Sequence, residues 1–157
     1  MNAARTRGSI LGGGAFAVMA IAAVAQFEGF RPTAYLDIVG VPTICYGATR
    51  GVTLGETATK QECDARLLDE LREYEAGMLA CLETPLPPKV QVAFVSLTYN
   101  IGTAAFCRSS VARHANVNDL AAACDAILKW NKAGGREIAG LTRRRQAERK
   151  ICREGLR

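Results

Sequence analysis

Three polar residues stand close together early in the chain: Glu28, Asp37 and Thr43, spaced Glu-x8-Asp-x5-Thr within the stretch QFEGFRPTAYLDIVGVPTICYG, Gln26 to Gly47. Hydrolysis of a glycosidic bond without a covalent intermediate needs one carboxylic acid to protonate the leaving oxygen. It also needs a second polar group that places water on the opposite face of the sugar. The trio offers both: Glu28 as the acid, Asp37 as the ionised partner, and Thr43 as a hydroxyl that holds the water.

These residues need elements that bring them together. Glu28 ends an apolar run of helical character, which puts it at a helix end where burial disfavours a bare carboxylate. Pro32, Thr33 and Ala34 read as a turn ahead of Asp37, and Thr43-Ile44-Cys45-Tyr46 has the β-branched and aromatic composition of a strand. Gly40 and Pro42 interrupt the segment between them, predicting a bend or hairpin that returns the chain toward Glu28. The bland alternative is a solvated carboxylate pair beside a surface hairpin.

Farther along, residues 48–57 are loop-like, with Gly51 and Gly55. Thr59-Lys60-Gln61-Glu62 then fits a capping box. Leu67, Leu71, Tyr74 and Met78 recur at helical spacing, so this helix runs to about Leu82. It is placed to join a small lobe to a larger helical one. Pro87 and Pro88 open the next helix, since proline is tolerated in a first turn; Val90, Ala93, Phe94 and Leu97 give it an apolar stripe. A short helix opens at Phe106 to Val111. Another is capped by Asn118, buries Leu120, Ala123, Cys124, Ile127 and Leu128, and closes at Trp130, read as a core residue. His114, the only histidine, lies among polar residues and reads as surface.

At 157 residues the chain is long enough for one domain that buries ~70% of its unfolded surface. A net charge of +5 favours a polyanionic partner, either nucleic acid or an acidic cell wall. No nucleic-acid motif is present and the basic residues gather on one late helix, so the wall is the expected partner. Six cysteines, Cys45, Cys63, Cys81, Cys107, Cys124 and Cys152, lack metal-ligand spacing, and with a single histidine neither a metal nor another cofactor is expected. Their even number suggests disulfides formed in an oxidising compartment such as the periplasm. Fifteen pairings are possible and sequence alone does not choose among them; the order of elements favours Cys45 with Cys63, Cys81 with Cys107 and Cys124 with Cys152. The alternative is that several are reduced, buried small hydrophobes.

Arg5 and Arg7 precede Gly8 to Phe27, a run without charge, rich in alanine and interrupted by Gly12 to Gly14. Its length suits a bilayer span of ~20 residues, but its content inserts weakly. Basic flank and apolar run together read as an export signal. Ala23-Val24-Ala25 offers a cleavage site, yet a cut there would leave Glu28 on a fraying terminus, whereas catalytic groups need rigid support. The expectation is retention: residues 1–27 as export signal and weak anchor that becomes an N-terminal helix, and 28–157 as the catalytic domain.

The central stretch also resembles the phage-type lysozymes, the endolysin muramidases, whose signature is this Glu, Asp and Thr with D-x-x-G-x-x-T-x-G/C-x-G around the last two; Asp37, Gly40, Thr43, Cys45 and Gly47 match it. Tyr99-Asn100-Ile101-Gly102 is similar to the aromatic-Asn-x-Gly motif that the family carries at the end of a central helix near its cleft. Gly140-Leu141-Thr142-Arg143-Arg144-Arg145-Gln146-Ala147-Glu148 resembles its G-L-x-x-R-R-x-x-E motif, whose bland reading is a solvated basic helix. The resemblance covers about Phe27 to Cys152. One departure is Gly47-Ala48-Thr49, where family members often carry histidine after the glycine.

The resemblance implies an α+β, mostly helical, two-lobe lysozyme-like fold with a small β-hairpin lobe. It implies cleavage, with inversion, of the β-1,4 bond between N-acetylmuramic acid and N-acetylglucosamine in peptidoglycan, for lysis of a phage's host. Arg144 becomes a substrate-binding candidate, as does Asn100, whose bland reading is a helix terminator. The weak amino-terminal run is similar to signal-anchor-release endolysins, tethered to the periplasmic side of the inner membrane and then released, active as a monomer. Two rivals are a lytic transglycosylase, which needs one acid and no water, and a non-catalytic membrane-tethered wall-binding protein.

Overall fold

The computed structural model describes residues 8–157, so Arg5 and Arg7 lie outside the described residues. The chain forms a small hairpin lobe and a helical lobe, mostly helical as expected. Helix α1 (Ala15–Glu28) leads directly into an antiparallel hairpin of β1 (Arg31–Leu36) and β2 (Pro42–Cys45). Helix α2 (Lys60–Ala80) connects to α3 (Pro88–Ile101), α4 (Thr103–Arg108), α5 (Ser110–Asn116) and α6 (Leu120–Ala126). A 3-10 turn and a second small hairpin, β3 (Lys132–Ala133) with β4 (Arg136–Glu137), precede α7 (Ala139–Glu154).

Helix α1 buries Ala17, Ala20, Ala23 and Val24 at three- to four-residue spacing, and these small side chains let it lie close on α3 and α2. The segment before it is fastened by hydrogen bonds to the buried Glu75 and Gln91 and to Arg72. Ser9 Oγ and Ile10 N donate to Glu75 at 2.5 and 2.9 Å. Gln91 Nε2 bridges Glu75 Oε1 (2.7 Å) and Gly8 O (3.0 Å), and Arg72 Nε donates to Leu11 O at 2.8 Å. Leu11 is fully buried.

The capping box opens α2 as predicted: Thr59 accepts from Glu62 N, and Glu62 accepts from Thr59 N. Several details differ from the sequence reading. Pro32, Thr33 and Ala34 lie inside β1 rather than in a turn; the reversal comes later, from Asp37 to Val41. Asp119, not Asn118, caps α6 by accepting from Ala122 N at 3.1 Å, because Asn118 takes the left-handed conformation (φ 60°) at the end of α5. Helix α3 is buried all round from Val90 to Thr98, polar Gln91 and Ser96 included, instead of along one stripe. It is the central helix, with α1, α2 and α7 packed around it. The second hairpin, turned by Gly134 and Gly135, was not foreseen. Trp130 packs half-buried against the core, and His114 is half-buried on α5.

All six cysteines are paired as the element order favoured. Cys45–Cys63 ties β2 to α2, Cys81–Cys107 ties the end of α2 to α4, and Cys124–Cys152 ties α6 to α7.

Candidate active site

Glu28 is the last residue of α1. Gly29 follows with φ 73° and ends the helix, so the chain leaves the acid and enters β1 three residues later. The Glu28 side chain is 24% exposed, and its Oε1 accepts from Arg144 Nη1 at 2.5 Å. Among the described residues Oε2 has no partner. Glu28 lines a cleft of about 540 Å³ with Phe27, Asn100, Arg143 and Arg144. Three of the residues predicted from sequence, Glu28, Asn100 and Arg144, therefore share one cavity, contributed by α1, the end of α3 and α7.

Arg144 does not sit on a solvated basic face. It is buried, with Arg145 and Glu148, beneath Glu28. Glu148 Oε1 accepts from Arg144 Nε (3.2 Å), Arg145 Nη2 (3.1 Å) and Ser96 Oγ of α3 (2.6 Å). Arg145 Nε lies 2.7 Å from Glu148 Oε2, an ion pair without hydrogen-bond alignment. Burial pushes the Glu148 carboxyl above the ordinary range, against the pull of both arginines and Ser96; burial likewise pushes Arg145 down. The 0% exposure of Arg145 is tolerable only because the opposite charge touches it. Sequence reasoning found Arg144 but missed Arg145, Glu148 and Ser96. The available signal was the i, i+3 and i, i+4 spacing of the two arginines to Glu148, which fits a buried network as well as a surface one.

Asp37 and Thr43 belong to the hairpin. Asp37 Oδ1 accepts from Val39 N and Val41 N at 2.9 and 2.8 Å, and its own backbone N–H donates to Val41 O. Gly40 closes the turn at φ 80°, a conformation that suits glycine. Tyr35 pairs with Thr43 in the register, and Asp37 stands opposite Val41. Period-two alternation then puts Asp37 and Thr43 on one hairpin face. Thr43 is buried and its Oγ1 donates to Val41 O at 2.9 Å, which leaves its lone pairs to accept. Neither residue lines the cavity that holds Glu28.

A second cavity of about 570 Å³ lies on the other side of the end of α3, lined by Gly47, Arg50, Glu70, Glu73, Tyr74 and Tyr99. Tyr99 contributes to this one and its neighbour Asn100 to the first, so the two cavities adjoin across that helix end. Tyr99 donates to Glu70 Oε2 at 3.3 Å and meets Tyr74 edge to face. Burial pushes both the Glu70 carboxyl and the Tyr99 hydroxyl up. Among the described residues no cluster of histidine, cysteine or acidic side chains could hold a metal.

The family model for phage lysozyme matches residues 25–148 of this chain. A SAR-endolysin of Enterobacteria phage P21 is 36% identical over 148 residues, covering 90% of each chain. Among solved structures, a mutant of P22 lysozyme superposes with a TM-score of 0.79 at 36% identity, covering 85% of this chain and 94% of that one. The muramidase domain of SpmX from Asticaccaulis excentricus does so at 0.77 and 30% identity, over 85% and 93%.

Proposed function

Since the chain belongs to the phage lysozyme family and is a glycosidase of the endolysin kind, we propose that Glu28, Asp37 and Thr43 together cleave the β-1,4 bond between N-acetylmuramic acid and N-acetylglucosamine in peptidoglycan. The observation that carries this reading is the half-held Glu28: Oε1 is fixed by Arg144 while Oε2 is free at a cleft wall. Oε2 is the oxygen that protonates the leaving group. Arg144 then faces the negative charge that develops on Glu28, an arrangement that needs no reorganisation during the step.

Water attacks from the opposite side of the sugar. One of its hydrogens points to Thr43 Oγ1, whose own proton is already given to Val41, and the other points to Asp37. The lone pair left over attacks the anomeric carbon, and the surplus proton passes to Asp37. The product has inverted configuration, which requires ~6.5 to 9.5 Å between the two carboxyls to admit that water. Asn100, on the same cavity wall as Glu28, hydrogen-bonds the saccharide. The net charge of +5 draws the protein to the acidic wall.

The enzyme is exported, held at the periplasmic side of the inner membrane by its amino-terminal run and released to the periplasm as an active monomer. Residues 1–27 stay attached, and residues 8–27 fold onto the catalytic domain. The packing of Leu11, Ala17, Ala20 and Ala23 into the core supports retention, and the named SAR-endolysin relatives support release.

Substituting Glu28→Gln keeps the shape but removes the transferable proton. Turnover of purified walls, read as release of reducing ends, is expected to fall by at least ~10³-fold with the unfolding midpoint unchanged. Retained turnover would remove Glu28 from the acid role. Mass spectrometry of the muropeptides distinguishes hydrolysis from an anhydro-sugar product, which would mark a lytic transglycosylase. No reducing ends from the unaltered protein would mark a wall-binding protein.

A further inference from the structure

We propose that Glu148 is a positioning residue for the reaction: it fixes Arg144 against Glu28 and balances one of the two arginine charges that Glu28 faces. The inference rests on Glu28 being the acid. Arg144 reaches Glu28 with Nη1 alone, and a guanidinium held at one end could swing away. Its Nε is held by Glu148 Oε1 and its Nη2 by Ser96 O, at 3.2 and 3.4 Å. Glu148 is in turn fixed by Ser96 Oγ. The central helix α3 thus sets the position of Glu148, which aims Arg144 at the end of α1.

Charge gives the second half of the argument. The groups facing Glu28 are Arg144, Arg145 and Glu148 from α7 and Tyr99 from α3, with Glu70 of α2 behind Tyr99. Arg143 lines the same cleft. Within the buried set, two arginines meet two carboxylates when Glu28 is ionised, and the set carries one net positive charge when Glu28 holds its proton. Without the Glu148 charge both states become more positive by one. The ionised form of Glu28 would then be favoured and the acid lost at lower pH. Because Arg144, Arg145 and Glu148 are buried, water and salt screen this effect less than they would between surface charges.

The test is the pH–rate profile for digestion of purified walls by the full chain and three variants. For Glu148→Gln the basic limb is expected to move to lower pH by about one unit or more, with at least a tenfold loss at neutral pH that lessens on acidification. For Arg145→Met, which removes a cation while filling similar volume, the limb moves to higher pH. The double variant restores the charge balance, and its limb returns to near the original position. A limb that stays in place in Glu148→Gln while turnover falls would reduce Glu148 to a structural role and overturn the proposal, as would a double variant displaced like the single one. If Glu148→Gln does not fold, the upward move of Arg145→Met and the return in the double variant carry the test. Glu28→Gln runs alongside: if it keeps turnover, the acid assignment has failed; if it is inactive, an unmoved limb counts against Glu148 alone.

Discussion

Asp37 commits one carboxylate oxygen to the turn of the hairpin and keeps the other open, so its structural and chemical parts can be separated. Asp37→Asn retains an acceptor for Val39 and Val41 but loses the charge. Wall digestion should fall by about 10²-fold or more, with the urea midpoint within experimental error of the original. Asp37→Ala loses the turn hydrogen bonds as well and should also cost about 1–2 kcal/mol of stability. Equal losses of stability in the two variants would contradict this division. At this scale the sequence was legible for placement: Glu28 ends an apolar helix and Thr43 lies on a strand, as their neighbours' composition predicted. It was opaque where charge looked ordinary: Arg145 and Glu148 have the spacing of surface ion pairs, and only the packing of α7 on α3 reveals that they are buried. Asn118 failed as a cap for a similar reason, since its neighbour Asp119 has equal capping chemistry and the left-handed φ of Asn118 decided between them.

Helix α1 is held at both ends, by Arg144 at Glu28 and by the Glu75, Gln91 and Arg72 group at residues 8–11. Capping boxes, proline starts and helical spacing had made α2 and α3 readable as elements, but not the encasement of α3, because a helix buried on all sides has no amphipathic stripe to read. Nor could local pattern show that Glu75, which falls on the apolar stripe of α2 four residues after Leu71 and three before Met78, receives the amino-terminal segment. Glu75 is 1% exposed and takes hydrogen bonds from Ser9, Ile10 and Gln91. Glu75→Ala strips the buried Gln91 amide, the half-buried Ile10 N–H and the Ser9 hydroxyl of their shared acceptor, at a cost of about 1–3 kcal/mol. Ser9→Ala removes two bonds, the one given to Glu75 and the one taken from Leu11 N, and should cost about 1–2 kcal/mol. Hydrogen exchange should localise the loss: protection in α1 should drop by more than in α5 or α6, which lie outside this network. Uniform loss across all helices would mean that Glu75 supports the core generally instead of seating the segment ahead of α1.

For the whole molecule, the proposed anchoring and release would require one segment to serve both membrane and folded protein. No helix among the described residues is long and apolar enough to cross a membrane, and α1, at 14 residues, spans ~21 Å where a bilayer core needs ~30 Å. Residues 8–28 as one continuous helix would reach that length; in the folded protein the helix instead starts after Gly14, with Gly13 and Gly14 at positive φ, and the proposed release would involve that change. Glycine makes that change cheap, and alanine makes the lipid state weak. The balance can be shifted from the lipid side alone. Ala15 and Ala22 are exposed in the folded protein, so leucine at both positions meets no packed neighbour there but adds several tenths of a kcal/mol of insertion each. Together they should raise the ratio of membrane-held to released protein by about fivefold, read by fractionating cells that export the chain. Lysis should be delayed, while the released and purified variant digests walls at the original rate. An unchanged ratio would show that a barrier other than lipid affinity sets release. A lowered rate in the purified variant would show that these two positions matter to the folded enzyme itself.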